Sequence, residues 1–144
     1  MRIYAVLDTN VLVSSLYTKN HLSATVRIMD ALRARAFRTV YNNDIINEYG
    51  DVLSREKFGF KQQLIDDIIT IVKDNGIRVG RTPTDEFFCD KDDVVFYEVA
   101  LSKEGTYVVT GNKRHFPETP IVVTPAEMVK ILEDAGLIEK IGQQ

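Results

Sequence analysis

The feature that most constrains the fold is a short apolar run near the N-terminus that ends on a carboxylate. Residues 3–7 read Ile-Tyr-Ala-Val-Leu and are followed at once by Asp8. A short apolar run bounded by turn residues is typical of a buried strand in a parallel sheet. Asp8 would then stand just past the carboxyl end of the strand, where open α/β sheets bind their ligands. A buried charge at that place needs a cation, a proton or hydrogen-bond donors.

The rest of the chain alternates strand patterns with helical ones. Strands are predicted at 3–7, 37–41, 77–79, 106–110 and 121–123, and helices at 10–16, 22–35, 44–55, 62–74, 93–103 and 125–135. This alternation favours βαβ units with right-handed crossovers, and therefore a parallel sheet covered by helices on both faces.

Length and composition favour one globular domain, which we expect to span residues 1–136, followed by a frayed tail at 137–144. No apolar run approaches the roughly 20 residues of a membrane span, and no signal peptide is recognisable, so a cytoplasmic protein is expected. The single Cys89 and two separated histidines exclude an ordinary structural zinc site. Because the formal net charge is −3, a polyanionic substrate would have to be held by local basic patches and bound cations.

Several carboxylates and one amide follow predicted strands or begin predicted helices. They are Asp8, Glu48, the group Asp90, Asp92 and Asp93, and Asn112. Carboxylates held close together repel one another, so one takes up a proton unless a cation lies between them. Oxygen ligands favour Mg²⁺ or Mn²⁺ over Zn²⁺. The pattern therefore indicates metal-assisted hydrolysis of a phosphodiester with one or two ions.

Each of these residues also has a purely structural interpretation. Asp8 could cap the following helix, and capping is the favoured interpretation for one of Asp92 and Asp93. Glu48 could be an ordinary solvated helix residue, and Asn112 a turn residue. The combination is more informative than any of its members, because adjacent acids exceed what one cap needs.

Basic residues follow two of these places in sequence. Arg55, Lys57 and Lys61 come after the Glu48 helix, and Lys113 and Arg114 come after Asn112. They could hold phosphates on either side of the scissile one, although a solvated charged surface is an equally good interpretation of each.

Four aromatic residues, Tyr17, Tyr41, Tyr49 and Phe116, could stack on bases, but core packing is expected for all except Phe116.

Two other catalytic motifs are absent from the sequence. The chain has no phosphate-binding loop of the GxxxxGK[ST] type and no Gly-x-Ser-x-Gly.

Four motifs together resemble those of PIN domains. They are the residues 6–11 (Val-Leu-Asp-Thr-Asn-Val), Glu48-Tyr49 followed by Val52-Leu53, Asp90-Lys91-Asp92-Asp93 before a helix that contains Ala100, and residues 109–116. Their order and spacing match the family as far as about the final helix. The most similar members are bacterial and archaeal proteins described as toxin components of toxin–antitoxin systems, the VapC-like ribonucleases.

The resemblance implies a three-layer α/β/α PIN-like fold with a central five-stranded parallel sheet, and a homodimer. It also implies an endoribonuclease that depends on Mg²⁺ or Mn²⁺. The three acids of the family fall on Asp8, Glu48 and Asp93, and the place that often holds a fourth acid falls on Asn112. Asp92 and Asp90 are close enough in sequence to assist in binding metal.

The resulting prediction is an enzyme that cuts RNA, as the toxin of a type II toxin–antitoxin system with an antitoxin protein as partner. Asp8, Glu48 and Asp93 would bind metal, and Asn112 would orient a water or complete the ligand shell. The residues expected to contact substrate are Thr9, Asn10, Lys113, Arg114 and Arg55, of which Thr9 and Asn10 would also shape the turn.

The amide at Asn112, and His115 where many relatives place an acid, are departures from the family. They leave open a second function, a non-catalytic PIN-like module that binds RNA or a protein. A DNA-directed nuclease of the flap type ranks last, because the chain is too short for the additional helical arch that those enzymes have.

Overall fold

The computed structural model describes residues 2–141. The strands are β1 (Tyr4–Leu7), β2 (Arg38–Tyr41), β3 (Ile77–Arg78), β4 (Thr106–Val109) and β5 (Val122–Val123). The helices are α1 (Thr9–Tyr17), α2 (Ala24–Arg33), α3 (Asn43–Leu53), α4 (Gln62–Asp74), α5 (Val94–Leu101) and α6 (Pro125–Asp134). The predicted α/β fold class with a five-stranded parallel sheet is confirmed.

The sheet has the strand order β3-β2-β1-β4-β5, and every pair is parallel. Strands β2 and β3 lie on one side of β1, and strands β4 and β5 lie on the other. The strand order therefore reverses between β1 and β4, and such a switch point is where open α/β sheets bind ligands. Leu7 pairs with Val109, so the next residues of both strands, Asp8 and Thr110, emerge at the same edge.

The central strands are buried on both faces, which explains their continuous apolar runs. Ala5 and Val6 of β1 and Val108 of β4 have no exposed surface. Helix α5 packs against β1, β2 and β4, and most of its side chains are buried because neighbours surround it.

Several predicted boundaries shift by one or two residues. Helix α4 begins and ends where the pattern predicts, at Gln62 and Asp74. Helix α5 is shorter than the predicted 93–103, because residues Lys91–Asp93 form a separate 3₁₀ turn and the helix ends at Leu101. Helix α2 ends at Arg33 because Arg35 adopts a left-handed conformation with φ of 60°.

Part of the predicted C-terminal tail packs against the domain. The Leu137 amide donates to the Leu132 carbonyl at 3.0 Å, and Arg27 of α2 donates to the Glu139 carbonyl at 2.8 Å. Residues 142–144 lie outside the described part of the chain. Across residues 2–141, no helix has both the length and the apolar character that a membrane crossing requires.

Candidate active site

Asp8 directly follows β1 and is only 6% exposed. Its Oδ2 atom accepts hydrogen bonds from the Thr110 hydroxyl at 2.8 Å and from the Asn10 side-chain amide at 3.2 Å. Although Asp8 occupies the N-cap position of α1, its side chain makes no capping hydrogen bond. The capping interpretation of Asp8 is therefore wrong, and the carboxylate is held toward the end of β4 instead.

Thr110 is a residue of this site to which sequence reasoning gave no role. It has no exposed surface, and while its hydroxyl donates to Asp8 it also accepts the Asn112 amide hydrogen at 3.0 Å. Asn10 ties the same loop to α1, because its Oδ1 accepts the Gly111 amide hydrogen at 3.0 Å. A polar residue placed directly after an apolar strand, at the edge that bears Asp8, is the signal that could have identified Thr110.

Glu48 lies in the middle of α3 and is half-buried. The Thr9 hydroxyl donates to its Oε2 atom at 2.6 Å, so Glu48 is not an ordinary solvated helix residue. The neighbouring Tyr49 is buried and its hydroxyl donates to the backbone carbonyl of Leu7. This hydrogen bond fastens α3 to the end of β1, which places Glu48 beside the strand end from which Asp8 projects.

The three acids before α5 have different contacts. Asp90 accepts the Asp92 amide hydrogen at 2.9 Å and so caps the 3₁₀ turn. Asp93 stands at the N-cap position of α5, yet its side chain makes no capping hydrogen bond. The expectation that the side chain of Asp92 or Asp93 would cap the helix is therefore wrong. The capping side chain in this segment is that of Asp90, which caps the 3₁₀ turn before α5.

Like charge and burial disfavour ionisation of the acids at this edge. Burial, and then the negative charges of neighbours led by Asp8, raise the pKa of Asp93 from 3.8 to about 7. The pKa of Glu48 is raised by burial and by the charges of Asp8, Asp92 and Asp90, against the hydrogen bond from Thr9. The negative charge of the neighbouring acids therefore adds to burial in disfavouring ionisation of Asp93 and Glu48.

Burial also raises the pKa of Asp8, although the Thr110 and Asn10 hydrogen bonds and the charge of His115 oppose that shift. Both hydrogen-bond donors contact the Oδ2 atom of Asp8, and the nearby basic residue is His115. A group with this environment is suited to binding a cation with its remaining lone pairs.

The donor set fits a hard divalent cation. It consists of carboxylate oxygens with one amide, which Mg²⁺ and Mn²⁺ prefer. Among residues 2–141, however, no group of three or more His, Cys, Asp or Glu side chains is placed so that it could hold a metal ion. Mg²⁺ commonly binds through one or two carboxylates and keeps several waters, so the chemistry of these residues agrees with such an ion.

The residues predicted to contact substrate are placed differently from one another. Lys113 bonds the exposed Glu127 carboxylate at 3.0 Å, which partly neutralises its charge. Arg114 is exposed and lines a cavity of about 490 Å³ together with Phe116. Arg55 is exposed and lies two residues beyond Leu53, the last residue of α3. Thr9 and Asn10 are engaged with Glu48 and Asp8, as described above.

The expectations for the aromatic residues are correct for two of four. Tyr41 and Tyr49 are buried as predicted. Phe116 is only 6% exposed and packs edge-on against Phe88, so the expectation that it is available for stacking is wrong. Tyr17 is 66% exposed rather than in the core; it is the last residue of α1, whose buried residues all lie among its first four.

Comparison with known families agrees with this geometry. The profile of the PIN domain family matches residues 4–114, which include every acid of the site and Asn112. No curated protein and no solved structure gives a significant match to the chain. PIN domains are generally nucleases and typically use divalent metal ions, so the match indicates a hydrolase of the nuclease kind. The chain belongs to the PIN domain family.

Proposed function

We propose that this chain is an endoribonuclease that depends on Mg²⁺ or Mn²⁺ and hydrolyses RNA phosphodiester bonds. The observation that supports this most strongly is the group Asp8, Glu48 and Asp93 beside the switch point of the sheet. Burial, together with the negative charges of the other acids, raises the pKa of Asp93 to about 7, and a bound cation would relieve that cost. A cluster that is unfavourable by itself is the arrangement expected of a metal-dependent active site.

Asp8, Glu48 and Asp93 would hold the cation, directly or through water. When bound, such an ion supplies Lewis acidity toward water and toward the phosphate. Thr110 and Asn10 fix the orientation of the Asp8 carboxylate, and Thr9 does the same for Glu48. Partners of this kind keep ligands in place before the ion arrives.

The remaining polar groups have supporting roles in the proposal. The side-chain amide of Asn112 would complete the ligand shell or orient a water. The backbone N–H of Asn112 donates to the Thr110 hydroxyl, which fixes the residue in this loop. Asp90 holds the turn that presents Asp92 and Asp93. Arg114 is exposed beside the site and would contact a phosphate flanking the scissile one.

The test is cleavage of a labelled single-stranded RNA in the presence of Mn²⁺ by wild type and by Asp8→Asn. The substitution keeps the shape of the side chain and removes its charge, so we expect cleavage to fall more than about a hundredfold. Asp74→Asn is the matched control, because Asp74 is an exposed acid paired with Arg35 at the other end of the sheet. Equal cleavage by wild type and Asp8→Asn would refute the assignment.

The same experiment discriminates the second candidate, a PIN-like module that binds RNA or a protein without cutting. The observation that favours it is the amide at Asn112 where the family often has an acid. Under this alternative, wild type and Asp8→Asn would both retain RNA without cutting it at any concentration of Mn²⁺.

The narrower part of the proposal is that the chain is the toxin of a type II toxin–antitoxin system, acting as a homodimer and restrained by an antitoxin protein. The likeness of its four motifs to VapC-like relatives supports this. Induced expression in a bacterial host should arrest growth with wild type and not with Asp8→Asn. Normal growth with a folded, active wild type would argue for a nuclease with another role.

A further inference from the structure

We propose that an exposed aromatic surface beside the active site binds unpaired bases of single-stranded RNA. This surface, called here the aromatic platform, consists of Tyr17, Phe58, Phe60 and the basic residues of the segment 55–61. The proposal takes from the proposed function only that the substrate is RNA. It adds where that RNA is gripped and why the strand must be unpaired.

The three rings form one cluster. Phe58 and Phe60 stack on each other with their centroids 5.4 Å apart and their planes inclined by 8°. Tyr17 stands edge-on to both, at 6.5 Å from Phe58 and 6.3 Å from Phe60. Edge-to-face contacts of this kind are favourable, so the two half-buried phenylalanine rings hold the tyrosine ring in a defined orientation.

Tyr17 is the ring that remains available to a ligand. It is 66% exposed, while Phe58 and Phe60 beneath it are half-buried. A single exposed aromatic residue needs no explanation, but a ring kept in solvent by two supporting rings forms a rigid stacking surface. Every base has a flat face, and aromatic side chains on which bases stack are typical of proteins that bind single strands.

The charges around the rings favour a polyanion over a protein partner of ordinary composition. The segment 55–61 has three basic residues, Arg55, Lys57 and Lys61, and one acidic residue, Glu56, so its net charge is +2. The whole chain has a net charge of −3, which makes this segment a local exception. All three basic residues are exposed, and the Lys57 ammonium lies 5.1 Å from the centre of the Phe58 ring.

The platform is joined to the active site by two helices. Helix α1 begins at Thr9, which bonds Glu48, and ends at Tyr17 eight residues later, a span of about 12 Å. Helix α3 contains Glu48 and leads directly into the segment 55–61. A strand whose phosphate lies at the acids therefore needs only a short extension to place a base on Tyr17. A duplex keeps its bases stacked inside and cannot do this.

The test measures binding of a labelled RNA of about 12 unpaired nucleotides to the full chain in the presence of EDTA, which prevents cleavage. Tyr17→Leu keeps an apolar side chain but removes the ring, so we expect about tenfold weaker binding. Tyr17→Phe keeps the ring and should bind within about twofold of wild type. Neither substitution should change binding of a fully paired RNA of the same length.

Charge variants provide a second measurement that does not depend on Tyr17. Lys57→Ala should lower the slope of log affinity against log salt concentration by about one, as for loss of one phosphate contact. Lys130→Ala, in an exposed position of α6, is the matched control and should leave the slope unchanged. If Tyr17→Leu fails to fold by circular dichroism, this pair decides the question.

Several outcomes would overturn the proposal. One is Tyr17→Leu binding as tightly as wild type, and another is wild type failing to bind the single strand. A change in sedimentation behaviour of Tyr17→Leu without a change in RNA affinity would show that the surface is a protein interface.

Failure of this proposal can be distinguished from failure of the proposed nuclease activity. If wild type cuts RNA and Tyr17→Leu binds RNA normally, the aromatic platform alone is refuted. A wild type that binds through Tyr17 but does not cut refutes the nuclease alone.

Discussion

The charged side chains at the two ends of the parallel sheet differ in whether they have partners of opposite charge. At the amino end, a cavity of about 360 Å³ is lined by Arg2, Arg35 and Arg38. Arg35 pairs with Asp74 at 2.9 Å and with the Asn75 side-chain oxygen at 3.3 Å. Arg38 donates to the Asn75 carbonyl at 3.3 Å. Arg35 and Arg38 therefore have opposite or neutral partners close by.

At the carboxyl end, Asp8, Glu48 and Asp93 each have a raised pKa, chiefly because of burial, and the charge of Asp8 contributes to the shifts of Glu48 and Asp93. The donors around them, Thr110 and Thr9, are neutral hydroxyl groups that orient the carboxylates without cancelling their charge. The difference teaches that the amino end is arranged for stability, whereas the carboxyl end tolerates repulsion that an added cation would relieve.

The largest expected effect is stabilisation by Mn²⁺. At a hundredfold excess over its dissociation constant, an ion that binds only the folded state raises the free energy of unfolding by about 2.7 kcal/mol. We expect this rise, measured as an increase in the midpoint of thermal unfolding, for wild type and for Asp74→Asn. Asp8→Asn should lose most of it.

Either of two results would contradict this difference between the two ends of the sheet. Wild type could show no shift at saturating Mn²⁺, or Asp8→Asn could shift as much as Asp74→Asn does. Either result would mean that the acids at the carboxyl end do not bind the ion.

A smaller effect is expected from the hydroxyl group that orients Glu48. Thr9→Val keeps the buried shape of the side chain and removes the donor to Glu48 Oε2. RNA cleavage and Mn²⁺ affinity should each fall about tenfold, as for other groups that orient metal ligands. Thr9→Ser retains a hydroxyl and should stay close to wild type. Equal activity of Thr9→Val and Thr9→Ser would show that Glu48 needs no orienting partner.

The smallest expected effect is the pH dependence of stability in EDTA. The pKa of Asp93 is about 7 in the folded protein and 3.8 as a free side chain, so the folded state binds the proton more tightly. The stability from this proton is present below the free value and is lost as pH rises through about 7. Asp93→Asn should therefore gain stability relative to wild type as pH rises from about 5 to about 8. Because Asp93 is only half-buried, solvent screening keeps this gain small.

Glu127→Gln is the matched control for this measurement. The Thr124 backbone and Lys113 lower the pKa of Glu127, so its contribution is lost only as pH falls below 4.5. The stability difference between Glu127→Gln and wild type should be constant above about pH 5, measured by urea unfolding. A constant difference for Asp93→Asn as well would contradict the repulsion attributed to the acids.

Much of the fold could be predicted from periodicity. Helix α4 has the predicted bounds because apolar residues recur at helical spacing between polar ends. The parallel sheet follows from the alternation of buried runs with helices. The 3₁₀ turn at Lys91–Asp93 was missed, because its shape depends on the side-chain hydrogen bond of Asp90 rather than on an apolar pattern.

The site was predictable in its acids but not in the groups that hold them. Asp8 could be predicted because it directly follows an apolar strand, and Asp93 because it belongs to a group of acids before a helix, whereas Glu48 was assigned mainly from the resemblance to PIN domains. Thr110 and Tyr49 do not stand out, since their partners are 102 and 42 residues away and are known only once the strands are paired.

The most direct test of the central claim is a crystal structure of the protein with Mn²⁺, read from an anomalous difference map at the manganese absorption edge. We expect a peak at the carboxyl end of β1, within bonding distance or one water of both Asp8 and Asp93. A map without that peak, with the Asp8 and Asp93 side chains turned into separate regions, would contradict the claim that a cation holds these acids together.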